Sequence, residues 1–567
     1  MQKHKQMNIL GISCFYHDSA ACLVKDGKVI AAAQEERFNR IKNSSDFPVN
    51  AINYCIQKGE ITFDDIDYIG FYEKPYLKFS RVITDHLNSY PFSFKNFLRT
   101  IPYWLQDRLI IPVLLKKELC YEGKTLFVKH HISHAASAFL VSPFEEAAII
   151  TADGLGEFAT TTYGYGKKNN IRIIKELQYP NSLGLVYTAI TSYLGFEANT
   201  GEGKTMGLSS YGKPTYIDKF KEIITVKPDG SFKIDNSFFG FNKGTRMYSK
   251  KFIKTFGKPR KTKEKIEQRH CDIAASLQKF TEDTLIAIAK NVYKETKMDN
   301  LCLAGGIFLN CVANNRILEE TPFKKIFIQP AAGDAGGALG VAQYIYNSIL
   351  NNPRNYVMEN AYLGPDFSEN QIKKCLLKAN ITFRRYENDE LTKYIAKKIS
   401  QNNTIGWFQG RMEFGPRALG NRSIFGNPCN PDMKNILNDK IKKRESFRPY
   451  APIILEEKAN DFFALQSSSP FMLLAPKVKK DKEKLVPSIT HIDKTARVQT
   501  INKKINPLLW NLINEFEKIT GVPIIINTSF NLRGEPIVCS PDDAINDFQK
   551  SKMDYLVLGN FVAKKIK

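Results

Sequence analysis

Ala147-Ala-Ile-Ile-Thr-Ala-Asp-Gly-Leu-Gly-Glu157, followed by Thr160-Thr-Thr-Tyr-Gly-Tyr-Gly166, decides the fold. An apolar run ends in an Asp/Gly-rich turn, and a second strand-like run returns from it. The opening of the chain has the same layout. Asn8-Ile-Leu-Gly-Ile-Ser-Cys14 reads as a buried strand, Tyr16-His-Asp-Ser19 fills a turn, and Ala20-Ala-Cys-Leu-Val24 follows. Asp26-Gly27 then predicts a hairpin into Lys28-Val-Ile-Ala-Ala-Ala33. Two such units separated by helical segments predict a duplicated α/β fold with a nucleotide in the cleft between its halves. Strand–turn–strand with small polar residues at the tip also suits a phosphate-holding turn.

Between the two units lies Val128-Lys-His-His-Ile-Ser-His-Ala-Ala-Ser-Ala-Phe139, with three of the chain's eight histidines. A helix here puts His130 and His134 on one face, one turn apart. Such a pair can grip a divalent metal if carboxylates arrive from elsewhere; otherwise it is two helix-surface histidines. His131 points about a third of a turn away and is not expected to be a ligand. Asp153 ends its strand in a glycine-rich turn, where a carboxylate faces either a metal or solvent.

Further along, Leu301-Cys-Leu-Ala-Gly-Gly-Ile-Phe-Leu-Asn310 and Phe327-Ile-Gln-Pro-Ala-Ala-Gly-Asp-Ala-Gly-Gly-Ala338 each read as a strand, a small-residue turn and a helix. Glycines there let backbone N–H groups approach a nucleotide. Gly201-Glu-Gly-Lys-Thr205 is no P-loop, because Ala198 stands where the first glycine belongs. Gly203–Gly212 is expected to be a substrate-lining loop and 213–265 an insertion, with an amphipathic helix over Ile273–Val292. Leu77–Lys117 is aromatic, basic and helical in pattern, suited to packing or to capping an acceptor site.

The periodicity lapses near 347–362, which divides the chain into domains 1–355 and 356–567. Beyond it, Arg411, Arg417, Arg422, Lys443, Arg448 and Arg497 sit beside Gly, Pro and aromatics. That suits a semi-buried anion pocket in which arginines fork onto phosphate. Ile524-Ile-Ile-Asn-Thr-Ser529 ends a buried strand in polar groups, where α/β ligand sites form.

The bulk properties set the frame. The 567 residues predict two or three domains, and the net charge of +23 suits anionic partners. The lysines are spread along the chain and form no nucleic-acid arm, so no nucleic acid is expected. The ten cysteines include no C-x-x-C pair, which favours reduced thiols and a cytoplasmic protein. The N-terminus lacks the apolar core of a signal peptide, and Asp107 and Arg108 interrupt the longest apolar stretch, so no membrane association is expected.

Taken together, the motifs resemble the NodU/CmcH family of O-carbamoyltransferases, nearly end to end. They are His17-Asp-Ser-Ala-Ala, Glu35-Glu-Arg-Phe, His130-His-x-x-His-Ala-Ala-Ser-Ala-Phe, Gly305-Gly-x-x-x-Asn310, Gly333-Asp-x-Gly-Gly, Phe414-Gly-Pro-Arg-Ala-Leu-Gly-x-Arg-Ser423, Phe447-Arg-Pro-Tyr-Ala-Pro452 and Asn527-Thr-Ser-Phe-Asn. One departure is Ser209-Ser-Tyr-Gly, where relatives often carry Ala-Pro-Tyr-Gly.

The resemblance implies an N-terminal actin-like ATPase domain, similar to the TsaD enzyme that transfers threonylcarbamoyl to tRNA, and a C-terminal YrdC-like α/β domain. It implies carbamoyl adenylate made from carbamoyl phosphate and ATP, then transfer to a hydroxyl of a small molecule or sugar. Carried over by motif, His130, His134, Asp153 and Asp334 would bind a divalent metal, expected to be iron. Gly305, Gly306, Asn310, Gly336 and Gly337 would cradle the nucleotide. Arg417, Lys443, Arg448, Arg497, Asn527, Thr528 and Ser529 would hold carbamoyl phosphate and the triphosphate, with Mg2+ on the phosphates. His17 is the expected acceptor-activating base, or else a structural histidine of a phosphate loop. A homodimer is compatible with the family. A tRNA threonylcarbamoyl-modifying enzyme and an actin-like ATPase scaffold are the alternatives.

Overall fold

Asp26 and Gly27 take positive φ angles of 47° and 80°, so the chain reverses within two residues and pairs Lys25 with Lys28. That backbone suits a hairpin because its twist matches that of the flanking strands. The computed structural model describes residues 6–91, 93–241 and 246–565. Residues 1–5, part of the N-terminus expected to lack a signal peptide, lie outside this range. So do residue 92 of the aromatic-basic segment and residues 242–245 of the insertion.

The chain divides into two compact units, residues 1–35 with 45–357, and 36–44 with 358–567. The first holds two five-stranded sheets. In one, Lys28–Gln34, Ala20–Lys25 and Asn8–Ser13 form an antiparallel meander. Tyr68–Phe71 and Lys124–Phe127 extend it in parallel with Asn8–Ser13. In the other, Asn170–Gln178, Ala159–Lys167 and Glu146–Ala152 form the meander, and Asn300–Ala304 and Lys325–Ile328 extend it in parallel. Each sheet therefore runs third–second–first–fourth–fifth, the duplication that the two strand–turn–strand stretches predict.

Helices His130–Phe139 and Ala335–Gln343 pack against each other in this unit. Small residues make the approach possible: a Cβ at Gly340 would overlap the Ser133 carbonyl oxygen. Gln268–Thr296 is the long amphipathic helix, with Leu277, Phe280, Leu285, Ile288 and Val292 all buried. The expected loop at Gly203–Gly212 is a correction, because Glu202–Ser209 is a helix. Glu202 lies in its first turn, where the helix dipole favours an anion, and the Thr205 hydroxyl is tied to Thr191 at 2.9 Å.

The second unit is built on an eight-stranded sheet. Its central strands are Ile405–Phe408, Arg422–Gly426, Ile524–Ser529 and Ala451–Leu455, all buried but for the polar end of Ile524–Ser529. Segment 36–44 belongs to this unit: Arg37 donates to the Gly415 carbonyl at 2.8 Å, and Arg40 donates to those of Pro536 and Ile537 at 2.9 and 2.6 Å. No helix among the described residues is long and apolar enough to cross a membrane. All ten cysteines are free thiols.

Candidate metal centre and anion pocket

Helix His130–Phe139 presents two imidazoles toward two carboxylates. His130 Nε2 lies 3.0 Å from His134 Nε2 and 3.1 Å from Asp153 Oδ2. His134 Nε2 lies 3.4 Å from the same Asp153 oxygen, and Asp334 Oδ1 stands 3.7 and 3.6 Å from the two nitrogens. All four side chains are buried.

The sequence places each donor for a separate reason. The histidines are one helical turn apart. Asp153 follows strand Glu146–Ala152, and its Oδ1 accepts from the Gly306 N–H at 2.9 Å. Asp334 stands at the N-terminus of helix Ala335–Gln343.

The donor set fits a metal ion. Ligand atoms each about 2.1 Å from one ion stand about 3.0–3.4 Å apart; here the two imidazole nitrogens lie 3.0–3.7 Å from each other and from the carboxylates, and all four atoms lie within 4.8 Å of one another. Neither oxygen of Asp334 has a hydrogen-bond partner, a costly state for a buried carboxylate that a cation relieves. Burial disfavours charge on His134, but Asp153 and Asp334 outweigh it and lift its pKa to about 9. Burial would raise Asp153, yet hydrogen bonds from His130 and His134 hold it well below the usual carboxylate range.

His131 does different work. Its Nε2 donates to the Ala159 carbonyl at 3.0 Å and its Nδ1 accepts from the Thr151 hydroxyl at 2.7 Å. Burial and the two neighbouring imidazoles hold it well below its ordinary pKa, so it is a neutral structural residue.

The sequence reading missed Glu157 and Tyr72. The buried Glu157 carboxylate accepts from the N–H groups of His130 at 3.0 Å and Lys74 at 2.8 Å, capping the histidine helix. Tyr72 sets its ring edgewise to His130, 5.3 Å between centroids. The signal for Glu157 was present, since it closes the Asp-Gly-Leu-Gly-Glu turn; Tyr72 had none.

His17 hydrogen-bonds Asp18 through Nδ1 at 2.9 Å. Burial opposes its charge, but Asp334 and Asp18 outweigh that and raise its pKa to about 10. The Asp334 carboxylate that raises it belongs to the candidate metal cluster, so the protonation of His17 is linked to the charge of that cluster.

Of the expected nucleotide residues, Gly305 has φ 103° and lies against the Ala152 backbone, and Gly306 bonds Asp153. Asn310 caps helix Cys311–Glu320 through the Ala313 N–H at 3.1 Å and exchanges hydrogen bonds with Gln278. Gly336 and Gly337 face the Ala331 carbonyl and the Tyr72 ring. Each position thus has a structural reason as well as its expected one.

In the second unit, cations crowd together. Burial lowers Arg448 to about 10, with Arg444 and Arg497 adding to the fall. Burial, then Arg444 and Arg448, push Lys442 well below its ordinary value. The Lys442 ammonium donates to Asn531 Oδ1 at 2.8 Å, the Asn531 carbonyl at 3.0 Å and the Ser529 carbonyl. Arg417, Thr528 and Ser529 are half-buried, while Asn527 is buried and donates to the Ala418 carbonyl at 2.8 Å.

Lys443 stands apart from this crowd. It is exposed, with φ 42° just beyond the Asn438–Lys442 turn, and the neighbouring Lys442 is the lysine turned inward. The left-handed φ of Lys443 ends the turn, and its own side chain stands in solvent. Arg411 and Arg422 also leave the expected pocket set. Arg422 is fully buried, donates to the carbonyls of Gln409, Asn421, Pro365 and Gly410, and lies 3.6 Å over the Phe408 ring. Arg411 donates to the carbonyls of Leu363 and Gly364.

Comparison with known proteins agrees across both units. Family models described as carbamoyltransferase N-terminus and carbamoyltransferase C-terminus match residues 8–343 and 396–565. An uncharacterized protein of Synechocystis is 46% identical over 98% of this chain and 97% of its own. The nodulation protein NolNO of Sinorhizobium fredii is 37% identical over 97% of this chain and 79% of its own. Among solved structures, the (R)-2-hydroxyglutaryl-CoA dehydratase component A of Acidaminococcus fermentans aligns with 61% of this chain and 99% of its own, at 14% identity and a TM-score of 0.33.

Proposed function

Because the chain belongs to the carbamoyltransferase family, we propose that it makes carbamoyl adenylate from carbamoyl phosphate and ATP and passes the carbamoyl group to a hydroxyl of a small molecule or sugar. The observation that supports the first stage is the crowd of cations formed by buried Lys442 with half-buried Arg444, Arg448 and Arg497. Like charges held together in low-dielectric surroundings cost stability unless an anion joins them, which marks a binding site.

Carbamate is a weak electrophile because its nitrogen and oxygens feed electrons to the carbonyl carbon. Water cleaves carbamoyl phosphate to carbamate and phosphate, and a carbamate oxygen then attacks the α-phosphorus of ATP and expels pyrophosphate. Lys442, Arg417, Arg448, Arg497 and the Asn527–Ser529 strand end hold these phosphates, with Mg2+ carried by the nucleotide. Lys442 replaces Lys443 in the set.

In the transfer stage the acceptor oxygen attacks the carbamoyl carbon, and AMP leaves with the bonding electron pair. Gly305, Gly306, Asn310, Gly336 and Gly337 line the nucleotide's place in the first unit. A divalent ion held by His130, His134, Asp153 and Asp334, with iron as the family's expectation, would supply Lewis acidity that offsets charge on the departing adenylate. His17 is assigned the acceptor's proton; it can accept one only after the Asp334 charge that keeps it protonated is neutralised.

The test is pyrophosphate release from ATP with and without carbamoyl phosphate, before any acceptor is supplied. Release that requires carbamoyl phosphate and disappears in Arg448→Ala and Lys442→Ala is expected. Release without carbamoyl phosphate would favour an ATPase, and release that requires tRNA would favour a threonylcarbamoyl-modifying enzyme.

A further inference from the structure

Residues 75–105 form a helical hairpin whose outer face is apolar. Helices Pro75–Asn88 and Phe94–Tyr103 lie side by side, with Phe79 5.6 Å from Trp104 and His86 5.4 Å from Phe97 between ring centroids. Those aromatics supply the inner contacts. Yet Tyr76, Leu87, Tyr90, Phe94, Leu98 and Leu105 are each more than half exposed. Phe94 and Leu98 are one turn apart and Leu105 is two turns further on, so they form one outward stripe. An apolar helical stripe packed along one edge and exposed along the other is expected to be covered there.

The charges beside the stripe say what covers it. Lys95 and Arg99, one turn apart, flank Phe94 and Leu98, are exposed, and make no hydrogen bond or ion pair among the described residues. The one carboxylate of residues 75–105, Asp85, is occupied by Arg81 at 2.8 Å. The face is thus apolar and cationic. A second copy docked about a two-fold axis would set cations against cations. A nucleic acid would leave Leu87, Leu98 and Leu105 against phosphate. Aromatic and leucine side chains between lysine and arginine match the boundary of an anionic bilayer, where rings and methyls enter the acyl edge and cations meet the headgroups.

We propose that the hairpin's outer face is a peripheral docking surface for anionic membrane. It reaches the bilayer edge and does not span it. The proposal is independent of the carbamoyl-transfer reading, since none of these side chains belongs to either site.

The test is flotation of the full chain with vesicles of phosphatidylcholine alone or mixed with phosphatidylglycerol. Binding is expected only with phosphatidylglycerol and at low salt. Leu98→Asp should abolish it, and Lys95→Gln with Arg99→Gln should weaken partition about 30-fold, five- to sixfold per lost cation. The thermal midpoints of these variants should match the parent, showing that the fold is intact. Three results would overturn the proposal: no preference for phosphatidylglycerol vesicles, binding to RNA that Leu98→Asp abolishes, or a homodimer in solution that Leu98→Asp converts to monomer.

Discussion

Nε2 of His130 and Nε2 of His134 lie 3.0 Å apart, and both nitrogens face Asp153 and Asp334. Without a cation this arrangement depends on protons shared among four buried groups. His134→Ala is expected to drop bound metal from about one ion per chain to near zero, measured by elemental analysis of purified protein. Retention of a full complement would place the ion elsewhere.

His131 supplies the contrast. Truncating it to Ala removes one hydrogen bond each from the Thr151 hydroxyl and the Ala159 carbonyl, which keep Thr162 and the Gly156 N–H as partners. The cost is expected to be about 1–3 kcal/mol of stability, from two lost hydrogen bonds, with metal content kept. Denaturant titration and elemental analysis on the same sample separate the two roles.

The cation crowd around Arg448 predicts stabilisation by anions. Pyrophosphate or carbamoyl phosphate at about 100 times its dissociation constant should stabilise by about 2.7 kcal/mol, read as a rise in melting temperature. Arg448→Ala and Lys442→Ala should lose most of that rise, whereas Lys443→Ala should keep it. Equal loss in the Lys443 variant would contradict the inward placement of Lys442.

Asp547 predicts a pH dependence. Burial and then the Glu535 carboxyl beside it raise its pKa from 3.8 to about 7. Between those values the folded protein holds a proton that the unfolded chain releases, so this contribution falls as pH rises from 3.8 to about 7 and levels off above. Its slope is at most about 1.4 kcal/mol per pH unit. Asp547→Asn should flatten that part of the stability profile, and an unchanged profile would refute the shift.

Arg422 carries a structural prediction. Its guanidinium donates to four backbone carbonyls and covers the Phe408 ring. Arg422→Ala is expected to cost about 3 kcal/mol or more, seen as a lower unfolding midpoint, with Arg422→Lys intermediate because an ammonium cannot match the fork.

Local pattern carries far in this chain. The hairpin at Asp26-Gly27, the two strand–turn–strand stretches and the helix around Val292 are legible because each depends on neighbours within a few residues. The i, i+4 spacing places His130 and His134 on one face, and the motif set supplies Asp153 and Asp334. The inward lysine was not legible. Lys442 and Lys443 are chemically equal in the sequence, and only the backbone φ of Lys443 decides which one turns inward. Arg417 and Arg422 likewise look equivalent, five residues apart in one motif, until Arg422 is found buried against backbone carbonyls.

Read alone, the residues carried the duplicated α/β layout, because periodicity and turn chemistry are local properties, and the motif set carried the family and its four candidate metal ligands. It took the packed chain to show that Glu157 caps the histidine helix, that segment 36–44 belongs with the second unit, and that Asp334 raises the pKa of His17. Those outcomes depend on groups brought together from distant parts of the chain, whose burial and summed charge no local pattern records.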